Sequence, residues 1–168
     1  LETIGDLEIR KYQPHNIART LVSGEFTEVA NGGFRRLAGY IFGSNQAEQK
    51  IAMTAPVAQI PTEAGDYWLT FSMPTEHDFK ELPDPADSRV ELLQVPAKTI
   101  AVLAYRGSWS EKRYRKHEQA MQQTLESSGD WEVIGLPSWF RYDPPVMPWF
   151  LRRNEVAVEV IATTPVNE

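Results

Sequence analysis

One order of apolar segments occurs twice along the 168 residues, and this repetition restricts the fold more than any other feature. In each half, alternating or continuous apolar runs predict two strands, a helix and two further strands. The predicted helices span residues 27–42 and 110–127. The predicted strands are Leu7–Tyr12, Ile17–Val22, Ile51–Gln59, Tyr67–Met73, Val90–Val95, Thr99–Arg106, Trp139–Asp143 and Glu155–Ile161.

The residues that precede the two helices support an internal duplication. Gly24–Glu28 and Gly107–Glu111 have the same order: a turn glycine, an aromatic residue, a hydroxyl residue and a glutamate. Thr27 and Ser110 are the residue types that cap helix N-termini, and the glutamates suit a first helical turn. We therefore predict two related β-β-α-β-β units, at about 7–73 and 90–161.

Two such units can bury their helices only against a shared sheet. The predicted fold is α+β, with duplicated β-β-α-β-β units forming a distorted antiparallel β-barrel or sheet, two packed helices and a pseudo-twofold axis. We expect a single domain over 1–168, because neither half alone holds enough core. The proline-rich stretch 74–87 is then an ordered loop, and a cleft is expected where the halves meet.

The composition excludes several classes of partner. A formal net charge of -6 argues against nucleic acid, which is bound largely through cationic groups. The absence of cysteine removes disulfides and thiolate sites and suits a reducing compartment. No apolar run approaches the roughly 20 residues of a membrane helix. We expect a soluble, cytoplasmic monomer, although a chain beginning at Leu1 leaves a removed signal segment possible.

The sequence contains no familiar catalytic or metal-binding motif. His15, His77 and His117 lie far apart, without metal-ligand spacing. The serine-hydrolase elbow, the P-loop and the dinucleotide fingerprint are missing as well. We therefore expect neither a metal ion nor a nucleotide, and we assign no catalytic residue.

Acidic residues near the C-terminus allow two interpretations. Glu155 and Glu159 share one face of a strand and follow Arg152 and Arg153, so cross-strand ion pairing with the nearby arginines is expected. The alternative is cofactor-independent acid–base chemistry. Asp143, before two prolines, is expected to cap its own turn.

The first helix carries an apolar stripe at helical spacing. Such a stripe is usually core. Its glycines, Gly32, Gly33 and Gly39, each cost about 1 kcal/mol relative to alanine, which makes sense if something approaches the helix closely, either a strand or a flat ligand. The stripe consists of Ala30, Phe34, Leu37, Ala38 and Ile41.

The most unusual segment is the aromatic, proline-rich stretch 139–151. Its prolines prevent regular sheet pairing, and its large apolar side chains are not expected to face water together. They either plug the end of a barrel or line a pocket, to which Arg141 and Tyr142 could add polar groups.

Several segments together resemble the SOUL/haem-binding-protein family, with the closest likeness to its bacterial branch. The resemblance covers almost the whole chain and implies a distorted antiparallel barrel with two helices and internal pseudo-twofold repetition. The segments are Glu8–Tyr12, Lys50–Val57, Phe34–Gly43, Leu82-Pro83, Tyr142–Pro145 and Arg152–Glu155.

The resemblance implies binding of haem or a related porphyrin in a groove beside the first helix, bounded also by the loop after the second helix. Some family members have a basic residue where this chain has Asn31 and Met147, and some have histidine where Lys11 stands. Arg35 or Arg141 could replace the missing propionate partners. The candidate ligand-binding residues are Asn31, Phe34, Leu37, Ala38, Ile41, Arg141, Met147 and Trp149.

Three functions follow from these patterns. The leading hypothesis is non-enzymatic binding of haem, porphyrin or a similar flat apolar ligand. The second is a hydrolase-like enzyme that acts on a hydrophobic small molecule through Glu155 or another buried carboxylate. The third is a protein-interaction module, for which an exposed rather than concave Val146–Phe150 surface would be the sign.

Overall fold

The computed structural model describes residues 2–163 and has an α+β fold. All pairings between its strands are antiparallel among the described residues, and two helices accompany them. The helices are α1 (Val29–Ile41) and α2 (Glu111–Ser128). The strands are β1 (Glu2–Ile4), β2 (Leu7–Tyr12), β3 (His15–Val22), β4 (Val57–Pro61), β5 (Tyr67–Ser72), β6 (Val90–Val95), β7 (Lys98–Arg106), β8 (Trp131–Val133), β9 (Ser138–Arg141) and β10 (Arg153–Ala162).

The chain forms two compact units, each with one helix. Residues 14–96 form the α1 unit, and residues 2–13 with 97–163 form the α2 unit. Neither helix in the described part of the chain is long and apolar enough to cross a membrane.

The α1 unit is an open four-stranded sheet with strand order β4-β5-β3-β6. Helix α1 covers one face, where alternate strand residues point toward it. Leu37 and Ile41 of the helix pack in one buried cluster with Leu69 and Phe71 of β5. The amphipathic stripe of α1 thus supplies the core of this unit.

Helix α1 begins later than its sequence pattern predicts. A turn formed by residues 26–28 precedes it, and Glu28 occupies the capping position without a side-chain cap. The prediction that Thr27 caps this helix is wrong, because the amide of Val29 already bonds to the Glu25 carbonyl at 3.1 Å. The predicted strand Ile51–Gln59 is also shorter, since pairing with β5 begins only at Val57.

The α2 unit has the strand order β1-β2-β7-β10-β9, with β8 pairing the far end of β10. Tyr114, Met121 and Leu125 form the buried side of α2. The predicted cap is confirmed here: Ser110 Oγ accepts a hydrogen bond from the Arg113 amide at 3.1 Å. Gly129 ends the helix with a positive φ of 69°, a backbone conformation that favours glycine.

The units do not coincide with the predicted repeats. β2, the first strand of the first repeat, pairs with β7 of the second repeat. β6, the first strand of the second repeat, pairs with β3 of the first repeat. The duplication and its pseudo-twofold axis stay predictions.

Candidate functional site

The solvent side of α1 carries an apolar surface. Asn31 and Phe34 of the helix and Phe42 just after it are exposed and lie on one side, with the buried Ala38 between the two rings in sequence; this side is here called the exposed face of α1. Phe34 is 37% exposed and Phe42 is 63% exposed. The Phe34 ring packs edge-on against Phe71, with 5.5 Å between centroids, so part of this apolar surface is held in place.

The other helix residues predicted to bind ligand lie in the core. Leu37 is fully buried and Ile41 nearly so, in the cluster that packs on β5. Burial in the core is what we expect if the apolar stripe of α1 serves only for packing. Gly33 also has a packing reason, because a Cβ there would lie 2.9 Å from side-chain carbons of Leu69 and Val22. A strand, rather than a ligand, approaches the helix at this glycine.

Arg141 is buried inside the α2 unit rather than presented at its surface. Its guanidinium lies over the Trp139 ring at 4.1 Å from the centroid, and the Trp109 ring is 5.6 Å away. Burial lowers the pKa of Arg141 to about 10, against a smaller opposite influence of Tyr105. Cation–π contact thus stabilises a charge at a site with little access to a ligand.

The loop that precedes β10 exposes the apolar residues predicted to plug or line a pocket. Val146, Trp149 and Phe150 are exposed, and the last two rings pack edge to face at 5.7 Å. Met147 is half-buried. Arg152 stabilises the loop by donating to the carbonyls of Met147 and Pro145, at 2.9 and 2.7 Å. This exposure is the feature predicted for an interaction module.

Glu155 is the centre of a buried polar cluster. Its two carboxylate oxygens accept bonds from Arg10 at 2.8 and 3.0 Å, and the Tyr142 hydroxyl donates to Oε2 at 2.5 Å. Burial raises the pKa of Tyr142, and its bond to this carboxylate raises it further. Burial alone would lower the pKa of Arg10, but the carboxylates of Glu155 and Glu8 raise it above its ordinary value.

The arginines near Glu155 in sequence have other partners. Arg153 pairs with Asp143, whose carboxylate also accepts from the Arg153 amide at 2.7 Å. These bonds lower the pKa of Asp143. The expectation that Asp143 caps its own turn is wrong, because its carboxylate bonds to Arg153 instead and so fixes the start of β10. Sequence reasoning missed Arg10, although strand alternation places Glu8 and Arg10 on one face of β2.

The histidines offer no metal centre. Nδ1 of His117 lies 2.7 Å from the Arg113 carbonyl, and its ring stacks on Tyr105 with 4.0 Å between centroids. Within residues 2–163, no group of three His, Cys, Asp or Glu side chains could hold a metal ion.

Comparisons with solved structures show where this fold recurs. The C-terminal domain of EcmrR matches with a TM-score of 0.71 at 9% identity, over 92% of this chain and 96% of that one. A hydrolase from Listeria innocua matches with a TM-score of 0.68 at 14% identity, over 93% and 92%. SAV2435 bound to tetraphenylphosphonium matches with a TM-score of 0.54 at 10% identity, over 92% and 93%. At these identities the likeness concerns the fold alone.

Sequence comparisons identify the family. Heme-binding protein 2 of Mus musculus is 27% identical over 169 residues, covering 92% of this chain and 82% of that protein. Heme-binding protein 1 of Xenopus laevis is 26% identical over 159 residues, covering 89% and 80%. The family model described as SOUL heme-binding protein matches residues 1–159. The chain therefore belongs to the SOUL heme-binding protein family.

Proposed function

We propose that this chain binds haem or a similar flat tetrapyrrole on the exposed face of α1, without catalysing a reaction. The observation that carries the proposal is Phe34, an aromatic side chain that is partly exposed yet fixed against Phe71. Ligand sites are mostly apolar and largely formed in advance, and this ring meets both conditions. Membership of the family, together with relatives named heme-binding proteins, supports haem as the ligand class.

The residues on this face suit the ring of a tetrapyrrole better than its metal. Ala38, between Phe34 and Phe42 in sequence, is only 8% exposed, so a flat apolar group on this face would rest mainly on the two phenylalanine rings. The face carries no histidine, since Asn31 is its one polar member. Haem and metal-free protoporphyrin should therefore bind with similar affinities. A micromolar dissociation constant, about -8 kcal/mol, is the expected scale for a ligand without metal coordination.

The test is a visible-absorbance titration of wild type and Phe34→Asp with haem. The aspartate places a charge where the ring must pack, so we expect binding to weaken at least about tenfold, the effect of roughly 1.4 kcal/mol. Leu21→Asp is the matched control, because Leu21 is an apolar residue of β3, 42% exposed and outside the helix and the loop assigned to the groove. Circular dichroism verifies that both variants fold. Equal saturable binding by all three proteins would refute the proposed face.

Met147 and Trp149 stay proposed ligand contacts and enter the same titration. Met147→Lys should tighten haem binding, because it restores a cation where some relatives have one. Trp149→Ala should weaken it if the loop contacts the ring.

A second candidate function is favoured by the exposure of Val146, Trp149 and Phe150, which together suit a protein partner. Haem affinity that is unchanged in both loop variants would assign this loop to such a partner instead.

A further inference from the structure

The loop that precedes β10 concentrates exposed apolar side chains in one part of the α2 unit. It spans residues 144–151 and is here called the aromatic loop. Val146 is 86% exposed, and Trp149, Phe150 and Leu151 are exposed as well. Single exposed apolar residues are normal on a protein surface, whereas a group of them marks a contact with a protein or a membrane. The chemistry of the loop indicates which of these two partners it fits.

The backbone carbonyls of the aromatic loop are largely satisfied within the α2 unit. Arg152 donates to the carbonyls of Pro145 and Met147, at 2.7 and 2.9 Å. Arg106 Nη1 donates to the Leu151 carbonyl at 2.9 Å, and two turn bonds within the loop are each 3.0 Å long. Three of the eight loop residues are prolines, which have no N–H donor.

This hydrogen bonding favours a lipid interface over a protein groove. A protein groove can bond to free backbone groups of a docked loop, but hydrocarbon cannot, and each unsatisfied polar group that leaves water costs free energy. A loop that already satisfies most of its carbonyls therefore loses less on entering a lipid interface. It also gains less from the directed bonds that a protein partner would offer.

Cations lie at the C-terminal end of the aromatic loop. They are Arg106, Arg152 and Arg153. Arg153 pairs with Asp143 at 3.1 Å, and the charge of Arg106 contributes to the lowered pKa of that same carboxylate. Glu155 follows on β10, but the guanidinium from β2 already bonds to it. Three guanidinium groups and one carboxylate leave an excess of two positive charges among these side chains, although the formal net charge of the chain is -6. An anionic surface would therefore attract the chain at this loop and not generally.

We propose that the aromatic loop docks this protein on an anionic lipid surface. Val146 and Phe150 then lie among the upper acyl chains, with Trp149 at the level of the headgroups. Arg106 and Arg152 lie against lipid phosphates. A tryptophan ring suits this depth because it has an apolar body and one N–H donor, and long arginine side chains reach the headgroups. One loop buries little surface, so docking is reversible. This inference does not depend on haem binding.

The experiment is sedimentation of the whole chain, without haem, with vesicles of phosphatidylcholine alone or with about 30% phosphatidylglycerol, whose charge attracts basic groups. Wild type should bind the anionic vesicles about 10- to 30-fold more tightly, the scale for two cations near such a surface. Salt at about 0.5 M should remove most of this preference. Equal binding to both vesicles would overturn the anionic surface. Binding to neither would overturn the lipid partner and leave the loop to a protein.

Two substitutions at Val146 test the sign of the charge at the loop. Because this side chain is 86% exposed, either change should leave the unfolding temperature within about 2 °C of wild type. Val146→Asp should weaken binding to anionic vesicles at least about tenfold, since it brings a negative charge to the lipid phosphates. Val146→Lys should stay within about threefold of wild type, because the added cation offsets the lost apolar contact. Equal binding of the two variants, whether weak or strong, would overturn the proposal.

A double substitution tests the aromatic rings. Trp149→Ala combined with Phe150→Ala should weaken binding to anionic vesicles at least about tenfold, through the loss of two apolar side chains. The matched control is Val133→Ala combined with Ile161→Ala. It also removes two exposed apolar side chains of the α2 unit, but at the end of β10 opposite to the loop, and it should bind as wild type does. Similar weakening in both double variants would show that the aromatic loop is not the docking surface.

Discussion

Replacing Glu155 by glutamine tests whether its polar cluster is structural. The change keeps the size of the side chain but removes the charge that faces Arg10, whose bonds to Glu155 are 2.8 and 3.0 Å long. Removing one partner of a buried ion pair costs about 3–5 kcal/mol. The side chain of Arg10 is 21% exposed and Glu8 still accepts from its Nε, so the cost should be lower, about 2–3 kcal/mol.

The opposite substitution should cost more. Arg10→Met leaves the Glu155 carboxylate, whose side chain is 10% exposed, with Tyr142 as its remaining bonded donor in this cluster. We expect a loss of about 3–5 kcal/mol. Arg10→Met combined with Glu155→Met removes both charges and should be more stable than Arg10→Met alone, since apolar replacement of a whole buried pair is often neutral.

Urea unfolding followed by circular dichroism measures these differences. For a chain of 168 residues, a loss of 2–3 kcal/mol corresponds to a fall of about 4–12 °C in unfolding temperature. Haem affinity should change less than about twofold in Glu155→Gln, measured at a temperature where the variant is folded. Stability within about 0.5 kcal/mol of wild type would refute a structural role and return Glu155 to the enzyme hypothesis.

Two further predictions concern pH and the glycines of α1. Burial raises the pKa of Tyr40 to about 12, and burial raises the pKa of Tyr105 as well, so their neutral forms stabilise the fold fully below pH 10. The free energy of unfolding should fall as the pH rises from 10 to about 12. The absorbance of ionised tyrosine should appear at higher pH in the native protein than in the urea-unfolded chain, and coincident titrations would contradict this. Gly39→Ala should stabilise the protein by about 0.5–1 kcal/mol, whereas Gly33→Ala should destabilise it by about 1–3 kcal/mol through overpacking, and thermal unfolding distinguishes the two signs.

The strands with the clearest alternation were predictable from the sequence. β2 and β6 have the predicted bounds, because each mixes apolar with polar residues in the short spacing of a strand and is followed within two residues by a proline. The segment that begins at Ile51 has the apolar pattern of a strand but does not pair as one there. The Ile51 side chain is buried in the apolar cluster under α1, and its amide donates to the Ile41 carbonyl at 2.8 Å. β1 and β8 escaped prediction because three residues carry no periodicity, and only their partners β2 and β10 define them.

The candidate site was less predictable than the fold, because local patterns do not say which face of an element is covered. On β9, Trp139 and Arg141 share one side, and the Trp139 ring packs near Tyr114 of α2 at 5.7 Å. The helix therefore buries Arg141, while Phe140 on the other side joins a separate apolar cluster.

As carboxylate partners, Arg35 and Arg141 are equal alternatives in the sequence, because nothing in it shows which of the two side chains a ligand can reach. The packing of the helices separates them. Helix α1 turns Leu37 and Ile41 toward its sheet, so Arg35 must point to solvent, where its charge stays available. Helix α2 buries the side of β9 that holds Arg141, so that charge interacts with tryptophan rings instead. A residue type indicates what a side chain could bind, and the helix packed on its strand determines whether a ligand can reach it.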